Sequence, residues 1–331
     1  MSISCQSLGF PVSFLAPDLY VTVSAYSLDP LLQYTSLLRT DNELDLRSSA
    51  LAPRSSSLEH AIPLRILCLG ASITYGYLST DGNGYRYALR GKLVADGNAV
   101  NMIGYVSAGN MSNNHVEGFP GLRIDQVQAQ GNLSLPLQPN IVLIFLGTND
   151  MTENFKVATA AQRMDGLLQE ILSKVPDVAI IVSTLLPNGE PSAEANTLVF
   201  NAALPAVVAN LTSHGHKVSM VDMHSDWFSV ADLRPDGTHP TDMGYLKMAR
   251  VFYKGIEAVA AAGNISSPVS VEHVDDYAAG NDSSRAGTAM DIVCQNVNST
   301  AQKQLCSGAG RAAVNVGAVV IVGWMVMWCW L

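Results

Sequence analysis

The chain has 331 residues, 48% of them hydrophobic and 14% charged, and its formal net charge is −9. This length and composition predict one large α/β domain with additions at its ends rather than several small domains. The negative charge, together with a sequence that carries no lysine- and arginine-rich cluster, argues against a nucleic-acid partner.

The chain begins with a predicted N-terminal extension and linker, residues 1–62. Pro11 and Pro17 interrupt the apolar stretches of residues 1–27, and no basic segment precedes them. These residues therefore lack the pattern of a signal peptide. Residues 40–60 combine arginine with runs of serine, which is typical of a solvated linker.

Residues 63–262 predict a folded domain in which strands and helices alternate. Apolar strands are predicted at residues 64–69, 101–106, 141–146, 178–183 and 218–222. Helices are predicted around residues 85–95, 157–174, 192–214 and 241–261, the last with Thr241 as its N-cap. Five apolar strands separated by helices predict a five-stranded parallel sheet covered on both faces, a three-layer α/β/α fold.

The C-terminal part changes composition twice. Residues 263–311 are rich in Ser, Asn, Asp and Gly, which predicts a disordered stalk. The uncharged run 312–331 is long enough to span a bilayer. Small residues precede this tail, so a lipid-anchor signal is the alternative, although the polar spacer is short for one.

The cysteines and the glycosylation sequons bear on the compartment. Cys68 lies inside the first predicted strand and is expected to be a buried free thiol. Cys294 and Cys306 can form a disulfide if the compartment is oxidising. Six Asn-x-Ser/Thr sequons favour secretion and a glycoprotein: Asn110, Asn132, Asn210, Asn264, Asn281 and Asn298. We therefore expect an extracellular or cell-surface protein, with the C-terminal tail as a possible membrane attachment.

The first strand ends at Gly70, and Ser72 follows two residues later. This spacing predicts a tight turn that exposes Ser72 beside free backbone N–H groups, where a nucleophile is useful. Gly-x-Ser is also ordinary turn chemistry, so this stretch alone does not distinguish the two interpretations.

Polar residues follow the other strands at the same edge of the predicted sheet. Asn149 comes after the third strand, Asp236 and His239 come after the fifth, and residues 115–121 lie between the second and third. Doubly wound sheets bind their ligands at this edge. If the strand order is 2-1-3-4-5, Ser72 and Asn149 flank one crevice.

These residue types suit acyl transfer. His239 can take the proton of Ser72, and Asp236 can accept the imidazole N–H and fix its tautomer. The Ser72 backbone N–H, a glycine N–H and the Asn149 amide can stabilise an oxyanion. Each residue singly is common in turns, but all of them at the correct strand ends indicate a catalytic site.

The chain resembles the SGNH hydrolases, the GDSL esterase superfamily, over about residues 64–257. Four blocks carry the resemblance: Gly-Ala-Ser-Ile-Thr at 70–74, Gly-Phe-Pro-Gly at 118–121, Gly-Thr-Asn-Asp at 147–150 and Asp-Gly-Thr-His-Pro at 236–240. The similarity is closer to the fungal carbohydrate esterase family 3, the acetyl xylan esterases, through residues 81–86, 116–118, 123–127 and 183–188.

The resemblance implies a flavodoxin-like SGNH fold for residues 63–262 and a serine esterase without a metal or cofactor. It assigns Ser72 as the nucleophile, with Asp236 and His239 completing the triad. It assigns the oxyanion hole to the Ser72 backbone, Asn149 and Gly121, with Gly118 as second choice. The substrate it implies is an acetylated polysaccharide, acetyl xylan, or a small ester.

Two features depart from the pattern or compete with it. Ala71 stands where the superfamily motif has an aspartate, and because the triad carboxylate comes from another block, activity should survive this loss. Residues 222–226 resemble a metal cluster on paper, but they lie at a strand end without evident further ligands, so we interpret them as structural.

Two alternatives to a carbohydrate deacetylase stay open. The first is an SGNH esterase or lipase that acts on other short-chain esters or lipids. The second is a catalytically silent, membrane-tethered binding protein on the same scaffold. The intact Ser72, Asn149, Asp236 and His239 argue against the second alternative.

Overall fold

The computed structural model describes residues 62–276, residue 294 and residues 299–306. Its strands are β1 (Leu64–Gly70), β2 (Val100–Ile103), β3 (Val106–Ser107), β4 (His115–Gly118), β5 (Ile141–Phe145), β6 (Ala179–Ser183) and β7 (Val218–Val221). Its α-helices are α1 (Ser72–Tyr75), α2 (Arg86–Ala95), α3 (Ile124–Gly131), α4 (Thr148–Thr152), α5 (Ala160–Lys174), α6 (Pro191–Ser213), α7 (Asp242–Ala261) and α8 (Thr300–Cys306). Short 3-10 turns lie at Leu135–Leu137, Val157–Thr159 and Val230–Asp232.

The sheet has the predicted doubly wound order. Strands β2, β1, β5, β6 and β7 are parallel neighbours in that sequence, which confirms the expected order 2-1-3-4-5. Every residue of β1, β5 and β6 is buried, as expected for strands covered on both faces. The three-layer α/β/α architecture is therefore as predicted.

The five predicted parallel strands are present, and the described sheet has two further strands, which makes seven. The predicted second strand, 101–106, ends early at Gly104, where the backbone turns with φ of +150° and a Cβ would lie 2.5 Å from the Val116 carbonyl oxygen. Beyond this turn β3 pairs antiparallel with β4, and β4 pairs parallel with the last two residues of β1. The extra strands bring residues 115–118 beside the carboxyl end of β1.

Helices cover the sheet in two groups. Helix α2 packs against α7, whereas α3 packs against α5 and α5 packs against α6. The Thr241 hydroxyl accepts the Gly244 N–H at 3.1 Å at the start of α7, which confirms the predicted N-cap. Among the described helices, α6 alone is long and apolar enough to cross a membrane by length and composition, with a mean hydropathy of 1.2. In the fold it packs against α4, α5 and β7.

The described part of the expected stalk packs against the domain. The Arg65 side chain is 2% exposed, and its Nε and Nη2 donate to the two carboxylate oxygens of Asp276 at 2.8 and 2.6 Å. Arg65 Nη1 donates to the Val269 carbonyl at 2.8 Å. A buried guanidinium requires such partners, so residues 264–276 are not the disordered stalk that their composition predicts.

The cysteine predictions are confirmed. Cys294 and Cys306 form a disulfide. Cys68 is a buried free thiol, and its burial raises the pKa of the thiol to about 11. The Leu305 carbonyl accepts a hydrogen bond from Arg250 Nε at 2.6 Å, which joins α8 to α7. The predicted extension, linker and C-terminal tail lie outside the described residues.

Candidate active site

Ser72 is the first residue of α1 and is separated from the end of β1 by Ala71 alone. The tight turn between the two elements requires glycine at position 70. A Cβ on Gly70 would lie 2.3 Å from the Phe145 carbonyl oxygen and 2.2 Å from the Thr74 hydroxyl. Ala71, which stands where the superfamily motif has an aspartate, is buried, with 6% of its surface exposed. The turn therefore forms with alanine at this position. Ser72 itself is partly exposed at the carboxyl edge of the sheet.

The structure brings the predicted triad residues together. The Nε2 atom of His239 lies 2.9 Å from the Ser72 Oγ, and its Nδ1 lies 2.7 Å from Asp236 Oδ2. A carboxylate can only accept hydrogen bonds, so the ring proton resides on Nδ1. Nε2 is then free to accept the serine proton.

Asp236 is held as a carboxylate by its own loop. Its Oδ1 accepts hydrogen bonds from the backbone amides of Thr238 and His239, each at 3.0 Å. Partial burial opposes ionisation of Asp236, but these amides and the His239 imidazole outweigh it and hold the pKa below its ordinary value. Asp236 is therefore charged across the neutral range.

Asn149 lies in the first turn of α4, after β5. Its Nδ2 donates to the Leu122 carbonyl at 2.8 Å, which orients the amide. An amide nitrogen carries two hydrogens, and among the described residues the second has no acceptor. The Asn149 amide thus has a fixed orientation, and its second N–H is available to donate to a bound substrate.

The two candidate glycines of the second block differ in their surroundings. Gly118 lies buried within β4, where a Cβ would be 2.6 Å from the Tyr75 amide nitrogen. Gly121 is exposed in the loop before α3 with φ of +81°, and within the described part of the chain its N–H has no protein acceptor. This placement favours Gly121 as the donor.

The buried carboxylate of Asp150 connects the helix that carries Asn149 to the start of α3, which follows the loop of Gly121. Asp150 is 0% exposed, and its Oδ2 accepts the Ile124 N–H at 3.1 Å. The Arg163 guanidinium bonds the other carboxylate oxygen and donates to the Phe155 carbonyl at 3.2 Å. Burial raises the pKa of Asp150, and the Arg163 and Ile124 hydrogen bonds offset part of that rise. Arg163 was not found from the sequence, where it is only a polar position on an amphipathic helix.

The loop after β6 supports the triad loop. Asn188 Nδ2 donates to the Thr238 hydroxyl at 3.2 Å, and the Gly189 N–H donates to the Gly237 carbonyl at 2.7 Å. Asn188, the last of the residues 183–188 singled out in the sequence, thus contacts the loop that carries Asp236 and His239.

The residues that resemble a metal cluster have other partners. Asp222 Oδ1 accepts from the Thr184 hydroxyl at 2.7 Å and from the His224 N–H at 2.8 Å. His224 Nε2 lies 2.8 Å from Glu194 Oε1. Among the described residues, no three His, Cys, Asp or Glu side chains form a group that could hold a metal ion.

Residues 68–247 match the model of the GDSL-like lipase/acylhydrolase family, which is more than half of the chain. The chain belongs to this family. Its matched residues form a carboxylic ester hydrolase domain with the SGNH fold, as the sequence predicted.

Relatives of this GDSL-like chain include two bacterial proteins named as esterases. It is 28% identical over 261 residues to a multidomain esterase of Ruminococcus flavefaciens, covering 70% of this chain and 33% of that protein. It is 27% identical over 218 residues to an acetylxylan esterase of Xylanibacter ruminicola, covering 59% of this chain and 43% of that protein. The chain thus spans a third to a half of the length of the curated relatives it matches. Among solved structures, a family 3 carbohydrate esterase of Clostridium thermocellum matches with a TM-score of 0.54 and 27% identity, over 60% of this chain and 98% of that one.

Proposed function

We propose that this protein is a serine esterase that removes acetyl groups from hemicellulose, with acetyl xylan as substrate. The observation that carries the proposal is the continuous contact from Asp236 through His239 to the Ser72 hydroxyl. This is the arrangement that activates a serine as a nucleophile.

In the first half of the proposed reaction, the Ser72 oxygen attacks the carbonyl carbon of the acetyl ester while His239 Nε2 takes the serine proton. The tetrahedral intermediate collapses by breaking the bond between the carbonyl carbon and the sugar oxygen. Nε2 returns its proton to that oxygen, and the acetyl group stays on Ser72. Asp236 stabilises the imidazolium that exists between these two proton transfers.

In the second half, water attacks the acetyl carbon and gives a proton to His239 Nε2. The intermediate collapses by breaking its bond to the Ser72 oxygen, which takes the proton back. Acetic acid leaves and the free enzyme is restored. Both intermediates carry a negative oxygen, which we assign to the N–H groups of Ser72, Gly121 and Asn149.

The relatives and the site together support acetate and a sugar as the two parts of the substrate. A relative and a structural neighbour carry the names acetylxylan esterase and family 3 carbohydrate esterase. Phe119 and Pro120 precede Gly121, and a bulky, stiff pair there favours a short acyl group. The polar side chains of residues 81–86 and 183–188 are mostly buried, so support for the sugar part comes from the names of the relatives.

Acetate release from acetylated xylan, beside hydrolysis of aryl esters with two-, four- and eight-carbon acyl chains, tests the proposal. We expect acetate release and a kcat/KM that falls with acyl length, and we expect both to vanish in Ser72→Ala. A preference for the eight-carbon ester without acetate release would favour a lipid esterase instead. A protein inactive on every ester would favour the silent binding protein.

We also propose an extracellular or cell-surface location, with residues 63–262 as the catalytic unit and residues 312–331 as the attachment. The disulfide between Cys294 and Cys306 supports this, because disulfides persist in oxidising compartments. Removal of residues 308–331 should give an active enzyme that no longer partitions into membranes. Equal partitioning of the intact and shortened chains would contradict the membrane attachment.

A further inference from the structure

A large aromatic side chain stands exposed beside the triad. Tyr77 is 47% exposed, although tyrosine rings are usually more buried. Its ring centroid lies 5.0 Å from that of His239, with the ring planes inclined by 65°. The ring is therefore in edge contact with the imidazole while much of its surface is open to solvent.

The backbone of Tyr77 is fixed at both ends of the residue. Its N–H donates to the Ser72 carbonyl at 2.9 Å, and its carbonyl accepts the Tyr245 hydroxyl at 2.7 Å. Gly76 before it turns with φ of +92°, and a Cβ there would lie 2.3 Å from the Gly82 carbonyl oxygen. The backbone that carries the exposed ring is thus fixed by hydrogen bonds on both sides and does not lie on a loose loop.

The rest of this loop is also anchored. The hydroxyl and the N–H of Thr80 both donate to the Asp242 carboxylate, at 2.5 and 2.9 Å. Leu78 adopts φ of +64° and is 43% exposed. A left-handed leucine is an unfavourable conformation that persists only where neighbouring contacts impose it, which is common at ligand-binding sites. The exposed Tyr77 ring next to His239 is therefore followed by a second exposed apolar side chain, Leu78.

The chemistry of the triad places the leaving alcohol near this ring. His239 Nε2 must return its proton to the leaving oxygen, so that oxygen has to come within hydrogen-bond distance of Nε2. The oxyanion donors Gly121 and Asn149 come from other loops, those after β4 and β5. Tyr77 instead contacts His239 itself, and the alcohol is the part of the ester that must approach Nε2 to receive its proton.

We infer that Tyr77 is a specificity-determining residue that packs its ring face against the sugar ring of the leaving alcohol. The faces of a pyranose ring present C–H bonds, which pack favourably on the negative face of an aromatic ring. This inference rests on the proposed function and adds to it the residue that recognises the sugar. The contact would add affinity for a sugar ester and none for an ester whose alcohol has no ring.

The test compares two acetyl esters that share the acyl group and differ in the alcohol: acetylated xylotriose and methyl acetate. Tyr77→Ala should lower kcat/KM for acetylated xylotriose about 10- to 100-fold, the usual range for one lost apolar contact with a substrate. The loss should lie in KM, and it should be clearly smaller for methyl acetate, whose alcohol has no ring to pack on Tyr77. Tyr77→Phe should keep the parental values, because the ring face rather than the hydroxyl makes the contact. Tyr105→Ala, at an aromatic side chain that is 66% exposed outside the site, is the matched control.

An equal loss on both esters would overturn the inference and make Tyr77 a support for His239, and no loss on either would overturn it as well. Inhibition of methyl acetate hydrolysis by unacetylated xylotriose separates this inference from the proposed function. If the parent enzyme releases no acetate from acetylated xylotriose, the proposed function fails. The inference then stands if Tyr77→Ala weakens xylotriose inhibition, and falls if inhibition is absent or unchanged.

Discussion

His239 Nε2 lies 2.9 Å from the Ser72 Oγ, although 167 residues separate the two along the chain. Ser72 is delivered by the end of the central strand β1, and His239 by the loop that leads into α7. The contacts of Thr80 with Asp242 and of Tyr245 with Tyr77 join these two regions. The proposed nucleophile and its proposed base are therefore positioned by elements anchored to each other.

Ser72→Ala and His239→Ala should each lower kcat by several orders of magnitude, and the double variant should lose no more than either alone. The reason is that triad residues act as a unit. Steady-state kinetics with an aryl acetate measure the loss, and thermal unfolding checks that the fold is kept. Near-parental turnover in a folded Ser72→Ala protein would show that another residue is the nucleophile.

Asp236→Asn should lower kcat by about 10³- to 10⁴-fold, at least as much as Asp236→Ala. The oxygen of the new amide would stay with the Thr238 and His239 N–H groups, so that its nitrogen would face His239 Nδ1 as a donor. The imidazole would then carry its proton on Nε2 and could not accept the Ser72 proton. An Asp236→Asn variant that is clearly more active than Asp236→Ala would contradict this assignment.

Asn149→Ala should lower kcat by about 10²- to 10³-fold with little change in KM, because an oxyanion donor acts on charge that develops in the transition state. Asn196→Ala is the matched control. Its amide donates to the Met151 carbonyl at 2.9 Å and so holds the same helix α4, but it is given no role in the chemistry. Equal losses of kcat in the two variants would mean that the placement of α4 matters and the Asn149 amide does not.

Glu117→Gln should change how stability depends on pH. Glu117 is 1% exposed, and it accepts the Tyr105 N–H at 2.6 Å and the Ser134 hydroxyl. Burial raises the pKa of Glu117, and these hydrogen bonds offset part of the rise. In the unfolded state the Glu117 carboxyl loses its proton at about pH 4.3. In the native state it keeps that proton to a higher pH.

The contribution of Glu117 to the free energy of unfolding is full below the unfolded-state pKa and is lost as the pH rises through the higher native pKa. Glutamine does not titrate, so the variant's stability relative to the parent should increase across this window. Urea unfolding at a series of pH values from acid to neutral measures the difference. A difference that is constant with pH would refute the prediction.

Most of the fold followed from apolar patterning. The strands that became β1, β5, β6 and β7 are short apolar runs between helical segments, and their order followed from the doubly wound pattern. Strand β3 is only two residues long, and β4, with the sequence His-Val-Glu-Gly, is not an apolar run, so neither shows the pattern that predicted the other strands. Their existence depends on the turn at Gly104 and on pairing with the end of β1, which are tertiary features.

The candidate site also contains residues that the sequence predicted and residues that only the structure reveals. Ser72, Asn149, Asp236 and His239 were predicted because each follows a strand end in a recognisable block, and the structure brings Ser72, His239 and Asp236 into contact. Arg163 and Tyr77 were not found, because their significance arises from contacts with Asp150 and His239 across the fold. The packing of residues 264–276 was also missed, since composition does not show that the buried Arg65 binds Asp276, 211 residues away.

The central claim is that Ser72 is the activated nucleophile, and labelling with a fluorophosphonate tests it most directly. The reagent's phosphorus reacts with a serine oxygen whose proton a neighbouring base removes, and fluoride leaves. We predict that loss of esterase activity parallels the addition of one phosphonyl group per chain, found by mass spectrometry on the peptide containing Ser72, and that His239→Ala resists labelling. Full inactivation with the label on another residue, or activity that survives complete modification of Ser72, would contradict the account.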